Sequence, residues 1–129
     1  MKRILALDGG GIRGVFFTDA KTGTAVGGSS TILRTSDGGA TWTVQQHPAT
    51  NSSRYYGVFF SDANTGTVVG GNGAILRTTD GGDTWNVQPS SSSSELQSVS
   101  LVGPTNGWIG GNGGILHTAT GGEPIEIEE

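Results

Sequence analysis

The stretch that decides the fold is Ile75-Leu76-Arg77-Thr78-Thr79-Asp80-Gly81-Gly82-Asp83-Thr84-Trp85. The same pattern stands 43 residues earlier as Ile32-Leu33-Arg34-Thr35-Ser36-Asp37-Gly38-Gly39-Ala40-Thr41-Trp42. The shift also holds upstream, where residues 15–24 correspond to residues 58–67. A third copy spans residues 98–118, is about one residue shorter, and has Thr120 and Ile125 in place of the Asp and the Trp. Repetition at one fixed period predicts a repeat architecture.

Each copy holds four runs rich in Val, Ile, Thr and aromatic residues, and turn residues bound every run. Gly contributes 24 of the 129 residues, which disfavours helices and favours short strands. Four short strands in about 40 residues form one antiparallel sheet of the size of a propeller blade. The sequence therefore predicts an all-β fold of about three four-stranded antiparallel blades, which is a partial β-propeller. The predicted blades are residues 15–56, 57–97 and 98–129, and residues 1–14 are a separate N-terminal strand and Gly-rich loop.

The repeated motif [Ser/Thr]-x-Asp-Gly-Gly-x-Thr-Trp has the chemistry of a hairpin turn. A short carboxylate accepts hydrogen bonds from nearby backbone N–H groups, and a Gly pair supplies the positive φ angles of a tight turn. The Trp then packs the hairpin against its neighbours. We interpret these residues as structural rather than catalytic: Thr35, Asp37, Gly38, Gly39, Thr41 and Trp42 in the first copy, and Thr78, Asp80, Gly81, Gly82, Thr84 and Trp85 in the second.

This motif resembles the Asp-box, or BNR, repeat. Together with the preceding Val-Val-Gly-Gly-Asn-Gly run, it is similar to the repeats of the photosystem II stability and assembly factor family and its bacterial relatives, over residues 14–122. The resemblance implies a β-propeller that is a non-catalytic binding and assembly scaffold. Such a scaffold recognises another protein through its surface, and the resembling families are often exported or lumenal.

The N-terminus carries a second resemblance. Residues 4–14, Ile-Leu-Ala-Leu-Asp-Gly-Gly-Gly-Ile-Arg-Gly, look like the opening of the patatin-like phospholipase family. That resemblance implies an oxyanion loop at Gly9, Gly10, Gly11 and Arg13, and the alternative function of a fragment or fusion of a lipid acyl hydrolase. The same residues also match the eroded end of a preceding blade, and both interpretations stay open.

An acyl hydrolase of that family also needs a nucleophile in Gly-x-Ser-x-Gly. The nearest approach is Val26-Gly27-Gly28-Ser29-Ser30-Thr31, which lacks the closing Gly. Ser29 aligns with Asn72 and Asn112 in the other copies, so we interpret it as a turn residue. We therefore expect no enzyme activity.

Arg34 and Arg77 hold the same place in their copies, and His117 holds it in the third. Because repeats place equivalent residues at related positions, the three residues form a candidate basic patch for an acidic protein partner. In the alternative interpretation each side chain lies along its strand and stabilises a neighbouring carboxylate. Asp-boxes also occur in sialidases, where they are structural. A sialidase would need an arginine cluster, a Tyr nucleophile and a Glu, and here only the adjacent Tyr55 and Tyr56 are available, with no supporting spacing.

Charge and composition restrict the partners further. The 11 acidic and 7 basic residues argue against a nucleic-acid surface, and no Cys is present. His47 and His117 lack a second ligand at metal-site spacing, so we expect neither a metal nor another cofactor. Ile4 to Leu7 is too short for a signal peptide, no run reaches membrane-spanning length, and the glutamates of residues 123–129 predict a frayed end. Three blades fall short of the about four to eight of known propellers, so we expect either a longer propeller or two copies joined in a ring.

Overall fold

A computed structural model describes residues 11–48, 50, 52, 54–88, 93–103 and 105–117, together with the backbone of residues 118 and 126–128. Over these residues the chain forms twelve strands in three four-stranded antiparallel sheets, and in each sheet neighbouring strands follow chain order. The predicted all-β partial propeller is confirmed. The helical content of the described residues is one short 3₁₀ segment, Gly71–Gly73, so none of the helices there is long enough to cross a membrane.

Each sheet is one blade. Blade 1 consists of β1 (Ile12–Phe17), β2 (Gly23–Gly27), β3 (Thr31–Thr35) and β4 (Thr43–Val44). Blade 2 consists of β5 (Tyr55–Phe60), β6 (Gly66–Gly70), β7 (Ile75–Thr78) and β8 (Asn86–Val87). Blade 3 consists of β9 (Leu96–Val102), β10 (Asn106–Gly111), β11 (Gly114–Thr118) and β12 (Glu126–Glu128).

The structure differs from the sequence-based expectation at both ends of the repeats. Strand β1 begins at Ile12, so three residues that we had assigned to the N-terminal segment lie in blade 1. At the other end β12 pairs with β11, with Ile127 opposite Leu116, where the glutamates had predicted a frayed end. That prediction was wrong because ladder pairing requires only backbone groups and an open strand edge. The predicted strand at residues 4–7 and turn at residues 8–10 lie outside the described residues.

The apolar core lies between the blades. Val68 and Val69 are adjacent in β6 and both are fully buried, because successive side chains of a strand point to opposite faces. Val68 packs with Val26, Ile32 and other residues in the cluster between blades 1 and 2. Val69 packs with Ile109 and other residues in the cluster between blades 2 and 3. Blade 2 is therefore apolar on both faces, as a sheet sandwiched between two others must be.

The first strands of the blades, β1, β5 and β9, pack side by side, and glycines permit their close approach. A Cβ atom on Gly14 would lie 3.1 Å from the Tyr56 carbonyl oxygen, and a Cβ on Gly57 would lie 3.1 Å from the Gln97 carbonyl oxygen. Blade 3 has Ser98 at the corresponding place. The close approach is thus repeated between blades 1 and 2 and between blades 2 and 3. Blade 3 has Ser98 in place of the glycine that would permit the same approach on its far side.

The missing residue of the third copy lies in the hairpin between β10 and β11. The Gly71 N–H donates to the Arg54 carbonyl at 3.1 Å, and the Asn112 N–H donates to the Glu95 carbonyl at the same distance. Asn112 therefore corresponds to Gly71, and our alignment of Asn112 with Asn72 was one residue out. Ser29 and Asn72 do share a positive φ, of 58° and 56°, so both are turn residues.

Candidate protein-binding surface

The two ends of the blades carry different turns. At one end, which we call the box end, lie the Asp-box turns and the turns between the first and second strands of each blade. At the other, the link end, lie the hairpins between the second and third strands and the segments that connect one blade to the next. Arg34, Arg77 and the Asp-boxes belong near the box end, and Gly11, Ser29 and the starts of β1, β5 and β9 belong to the link end.

The Asp-box of blade 2 is a closed hydrogen-bond circuit. The Asp80 carboxylate accepts from the Thr84 hydroxyl at 2.6 Å, from the Thr84 N–H at 2.9 Å and from the Thr78 hydroxyl at 2.8 Å. The Thr78 hydroxyl oxygen accepts in turn from the Gly82 N–H at 2.9 Å. Gly81 and Gly82 have φ angles of 76° and 101°, which side chains rarely adopt. The side-chain oxygens of Thr78, Asp80 and Thr84 are thus used within the turn.

Blade 1 repeats this circuit. Asp37 accepts from the Thr41 hydroxyl at 2.6 Å and from its N–H at 2.9 Å, and Thr35 accepts from the Gly39 N–H at 2.9 Å. The hydrogen bonds from Thr41, followed by that from Thr35, lower the pKa of Asp37 from 3.8 to about 2. The bonds from Thr84 and Thr78 lower the pKa of Asp80 equally, to about 2. Both carboxylates are therefore ionised and occupied as acceptors, which leaves them unsuited to acid–base catalysis at neutral pH.

The tryptophan of the box anchors it to the core. Trp85 is 3% exposed and its ring meets the Phe60 ring edge to face, with centroids 6.2 Å apart. Trp42 makes the corresponding contact with Phe17 at 6.1 Å. In blade 2 this locks the turn between the third and fourth strands to the first strand of the same sheet.

A second repeated turn escaped the sequence-based reasoning. The Asp62 carboxylate accepts from the N–H groups of Asn64 and Thr65, each at 2.8 Å, and Asp19 accepts in the same way from Lys21 and Thr22 at 2.7 Å. These backbone hydrogen bonds lower the pKa of both carboxylates. The equal spacing of Asp19 and Asp62 in their copies was the available signal.

The predicted patch residues share one register in their sheets. Arg34 lies opposite Thr24, Arg77 opposite Thr67, and His117 opposite Trp108. The Arg34 side chain reaches blade 2, where its Nη1 donates to the Gly81 carbonyl and lies 3.6 Å from Asp83 Oδ1. His117 instead stacks on Trp108, with centroids 4.5 Å apart. The three residues thus share one position in their sheets but have different neighbours. Binding of a partner by these residues stays a prediction.

The proposed oxyanion loop is only partly described. Gly9 and Gly10 lie outside the described residues, Gly11 has a φ of 73° and accepts a hydrogen bond from Gly28, and Arg13 lies in β1.

Of the two adjacent tyrosines, Tyr55 is the buried one. Tyr55 is fully buried, and burial raises its pKa while its hydroxyl lies 3.0 Å from that of Thr50. The described part of the chain holds no cluster of three residues able to ligate a metal.

Three sheets in sequence order, with cores between them and Asp-boxes in the outer hairpins, define a segment of a β-propeller. A family model described as Photosynthesis system II assembly factor YCF48 matches residues 49–127, which is more than half of the chain. The chain belongs to this family.

Solved structures agree with the family. The structure of YCF48 bound to D1 peptide is 28% identical with a TM-score of 0.82, and covers 98% of this chain and 47% of that chain. YCF48 from Cyanidioschyzon merolae is 26% identical with a TM-score of 0.82, and covers 97% of this chain and 42% of that one. This chain therefore spans less than half the length of either YCF48 structure.

A more distant likeness concerns the fold alone. An ancestral GH74 enzyme is 17% identical, with a TM-score of 0.77 over 99% of this chain and 20% of that one. No curated protein matches the sequence. Nothing in these comparisons supports the phospholipase resemblance of residues 4–14.

Proposed function

We propose that this chain is a non-catalytic assembly scaffold that binds another protein through the surface of its blades. The observation that carries the proposal is the likeness, over 98% of this chain, to a YCF48 structure bound to D1 peptide. Membership of the YCF48 family supports the same role. The proposed partner is a polypeptide segment of the D1 type.

A non-catalytic role is supported by the surroundings of the residues that chemistry would need. Ser29 lies in a turn with a φ of 58° rather than at a strand-to-helix elbow. The carboxylates of Asp37 and Asp80 are held by their own turns. We accordingly expect hydrolysis of p-nitrophenyl esters and phospholipids at background rates, and an activity lost on Ser29→Ala would contradict this.

Titration calorimetry of the purified chain with D1 peptide tests the proposal. We expect saturable binding of the peptide and none of a scrambled peptide of the same composition. Equal heats from both peptides, or none from either, would overturn it.

The finer part of the proposal assigns binding to the predicted patch of Arg34, Arg77 and His117, and its test uses the last two because Arg34 already contacts Gly81 and Asp83. Arg77→Ala and His117→Ala should then weaken peptide binding while leaving the melting temperature close to that of the parent chain. Lys21→Ala is the matched control, because Lys21 is an exposed cation in a turn at the same end of the blades and is not one of the predicted patch residues. Unchanged affinity in both variants would remove these residues from the binding surface and leave the scaffold role intact.

A further inference from the structure

One residue at the start of each first strand lies outside the pairing register. The pairing of β1 with β2 skips from Ile12 to Gly14, and the pairing of β5 with β6 skips from Tyr55 to Gly57. Arg13 and Tyr56 are therefore the extra residues of β-bulges, at the same place in successive blades. Bulges redirect side chains and are frequent beside binding sites. Both side chains lie at the link end, away from the Asp-boxes.

These side chains connect the blades at the link end. The guanidinium carbon of Arg13 lies 5.7 Å from the centre of the Tyr56 ring, within the range of a cation–π contact. The Tyr56 hydroxyl donates to Glu95 Oε2 at 3.3 Å. A polar chain thus runs from blade 1 through blade 2 to the segment that enters blade 3.

A cleft of about 130 Å³ opens beside Tyr56, lined by Ser52, Arg54, Tyr56, Gly71, Asn72 and Glu95. A water molecule occupies about 30 Å³ of liquid, so the cleft has room for a carboxylate group with its hydration.

The backbone beneath the cleft is firmly held. The Arg54 N–H donates to Ser52 Oγ at 3.1 Å, while the Arg54 carbonyl accepts from Ser52 Oγ at 2.5 Å and from the Gly71 N–H at 3.1 Å. Ser52 itself is 5% exposed. The Arg54 side chain therefore extends from a hydrogen-bonded backbone, so ligand binding would have to order the side chain but not the backbone.

The charge balance at the link end favours an anion. Among the described residues, neither Arg13 nor Arg54 has a carboxylate within ion-pair distance, whereas Arg34 has Asp83. Glu95 is the acidic residue of the cleft, and the Tyr56 hydroxyl occupies one of its oxygens. Arg54 thus lines the cleft opposite a carboxylate that is already hydrogen-bonded, and the guanidinium of Arg13 lies over the ring of Tyr56, another lining residue. A guanidinium group matches a carboxylate with two parallel hydrogen bonds.

We propose that the link-end cleft binds a carboxylate of the partner polypeptide, with Arg54 as its principal ligand and Arg13 as a second cation. The inference rests on the proposed function for the identity of the partner. The carboxylate is either that of an Asp or Glu side chain or that of a chain terminus.

The experiment is an NMR titration of the intact chain with three small probes. N-acetylglycine supplies a terminal carboxylate, Nα-acetylglutamic acid α-amide supplies a side-chain carboxylate, and Nα-acetylglutamine amide is the neutral control. We expect the two carboxylates, and not the neutral amide, to shift the backbone signals of Arg54 and Tyr56 saturably. The probe that binds more tightly indicates whether the partner supplies a terminal or a side-chain carboxylate.

Three variants sharpen the titration. Arg54→Ala should weaken carboxylate binding about tenfold, since it removes a charge-assisted hydrogen bond. Glu95→Gln keeps an acceptor for Tyr56 and removes a repulsive charge, so it should tighten binding about twofold to fivefold. Lys21→Ala, which removes an exposed cation from the β1–β2 turn at the box end, is the matched control and should leave the affinity unchanged. Arg54→Gln replaces Arg54→Ala if the alanine variant does not fold.

Carboxylate binding that is unaffected by the Arg54 variant, weakened by Glu95→Gln or matched by the neutral amide would overturn the proposal. Binding of D1 peptide that Arg54→Ala leaves unchanged would also refute the cleft while the scaffold role stands. Small carboxylates that bind the cleft of a chain with no affinity for D1 peptide would support the cleft and refute the scaffold role.

Discussion

At the scale of single residues, a carboxylate and a threonine hydroxyl together hold the Asp-box turn by hydrogen bonds. Asp80 gathers donors from both sides of the turn, and Thr78 supplies a donor to Asp80 and an acceptor to Gly82. Loss of the carboxylate leaves Thr84 without its partner and opens the circuit.

We therefore predict that Asp80→Ala lowers the melting temperature by several degrees in a thermal unfolding experiment followed by circular dichroism. Removing the carboxylate takes away three hydrogen bonds that close the turn, and the exposed Thr84 donors that are freed can bond only to water, which does not hold the turn. Thr79→Ala is the matched control, because Thr79 is an exposed neighbour in the same turn. Equal melting temperatures for the two variants would show that the box is dispensable.

The same carboxylates predict the acid response of the fold. A carboxyl group whose pKa is lower in the folded chain stabilises the fold above its unfolded pKa, and this stabilisation is lost as the pH falls through the folded pKa. Since the pKa values of Asp37 and Asp80 fall from 3.8 to about 2, the melting temperature should decrease between about pH 4 and about pH 2.

Melting curves recorded from neutral pH to pH 2 test this prediction. Asp80→Asn removes one titrating group, so its melting temperature should fall less steeply with acid than that of the parent chain. An identical acid response in the variant would show that Asp80 does not couple to unfolding.

At the scale of elements, the second strand of each blade passes close to the carbonyl that precedes the first strand. A Cβ on Gly70 would lie 2.3 Å from the Arg54 carbonyl oxygen, and one on Gly27 would lie 2.2 Å from that of Gly11. Gly70 has an extended backbone with a φ of -160°, so the need for Gly here is steric and not conformational.

We predict that Gly70→Ala destabilises the chain by about 1–3 kcal/mol, the usual cost of overpacking, because two backbones must move apart. Gly110→Ala is the control, since its added methyl group would meet only the Ser98 hydroxyl, at 3.2 Å. Urea unfolding measures both variants. A Gly70→Ala chain as stable as Gly110→Ala would mean that the strands separate without cost.

At the scale of the whole molecule, the two outer faces of the three-blade segment differ. Val15 and Phe17 on the outer face of blade 1 are 56% and 40% exposed, whereas the corresponding Val58 and Phe60, which blade 1 covers, are 8% and 5% exposed. On the far side of blade 3, Ser98 and Ser100 stand where blade 2 has Gly57 and Phe59. An interface between blade 3 and blade 1 of a second copy would therefore differ in its packing from the internal one, and the six-blade ring of two copies is unsupported.

We predict instead that any self-association uses the outer face of blade 1, because exposed apolar side chains there lack the cover that their equivalents have. In light scattering at several concentrations, Val15→Asp should abolish the rise of apparent mass with concentration. Ser100→Asp, on the far side of blade 3, should leave that rise unchanged. A reduction by Ser100→Asp would restore the ring, and a constant mass of the parent chain would refute association altogether.

The amino-acid sequence by itself determined the repeat, the four strands of each blade and the Asp-box turns. These features are local: the hydrogen bonds of the box join residues two to four positions apart, so spacing and residue type are sufficient to specify them. The sequence also indicated the YCF48 family, because the box and the strand before it recur in one register.

Only the tertiary structure decided what the blades do to one another. It brought Arg34 to Gly81, 47 residues away, and joined Arg13, Tyr56 and Glu95 across three blades. It also showed that the deletion of the third copy lies in the β10–β11 hairpin and that the acidic β12 pairs with β11. These contacts depend on the stacking and register of separate sheets, which depend on packing at the blade interfaces and are not specified by the spacing of residues within any one repeat.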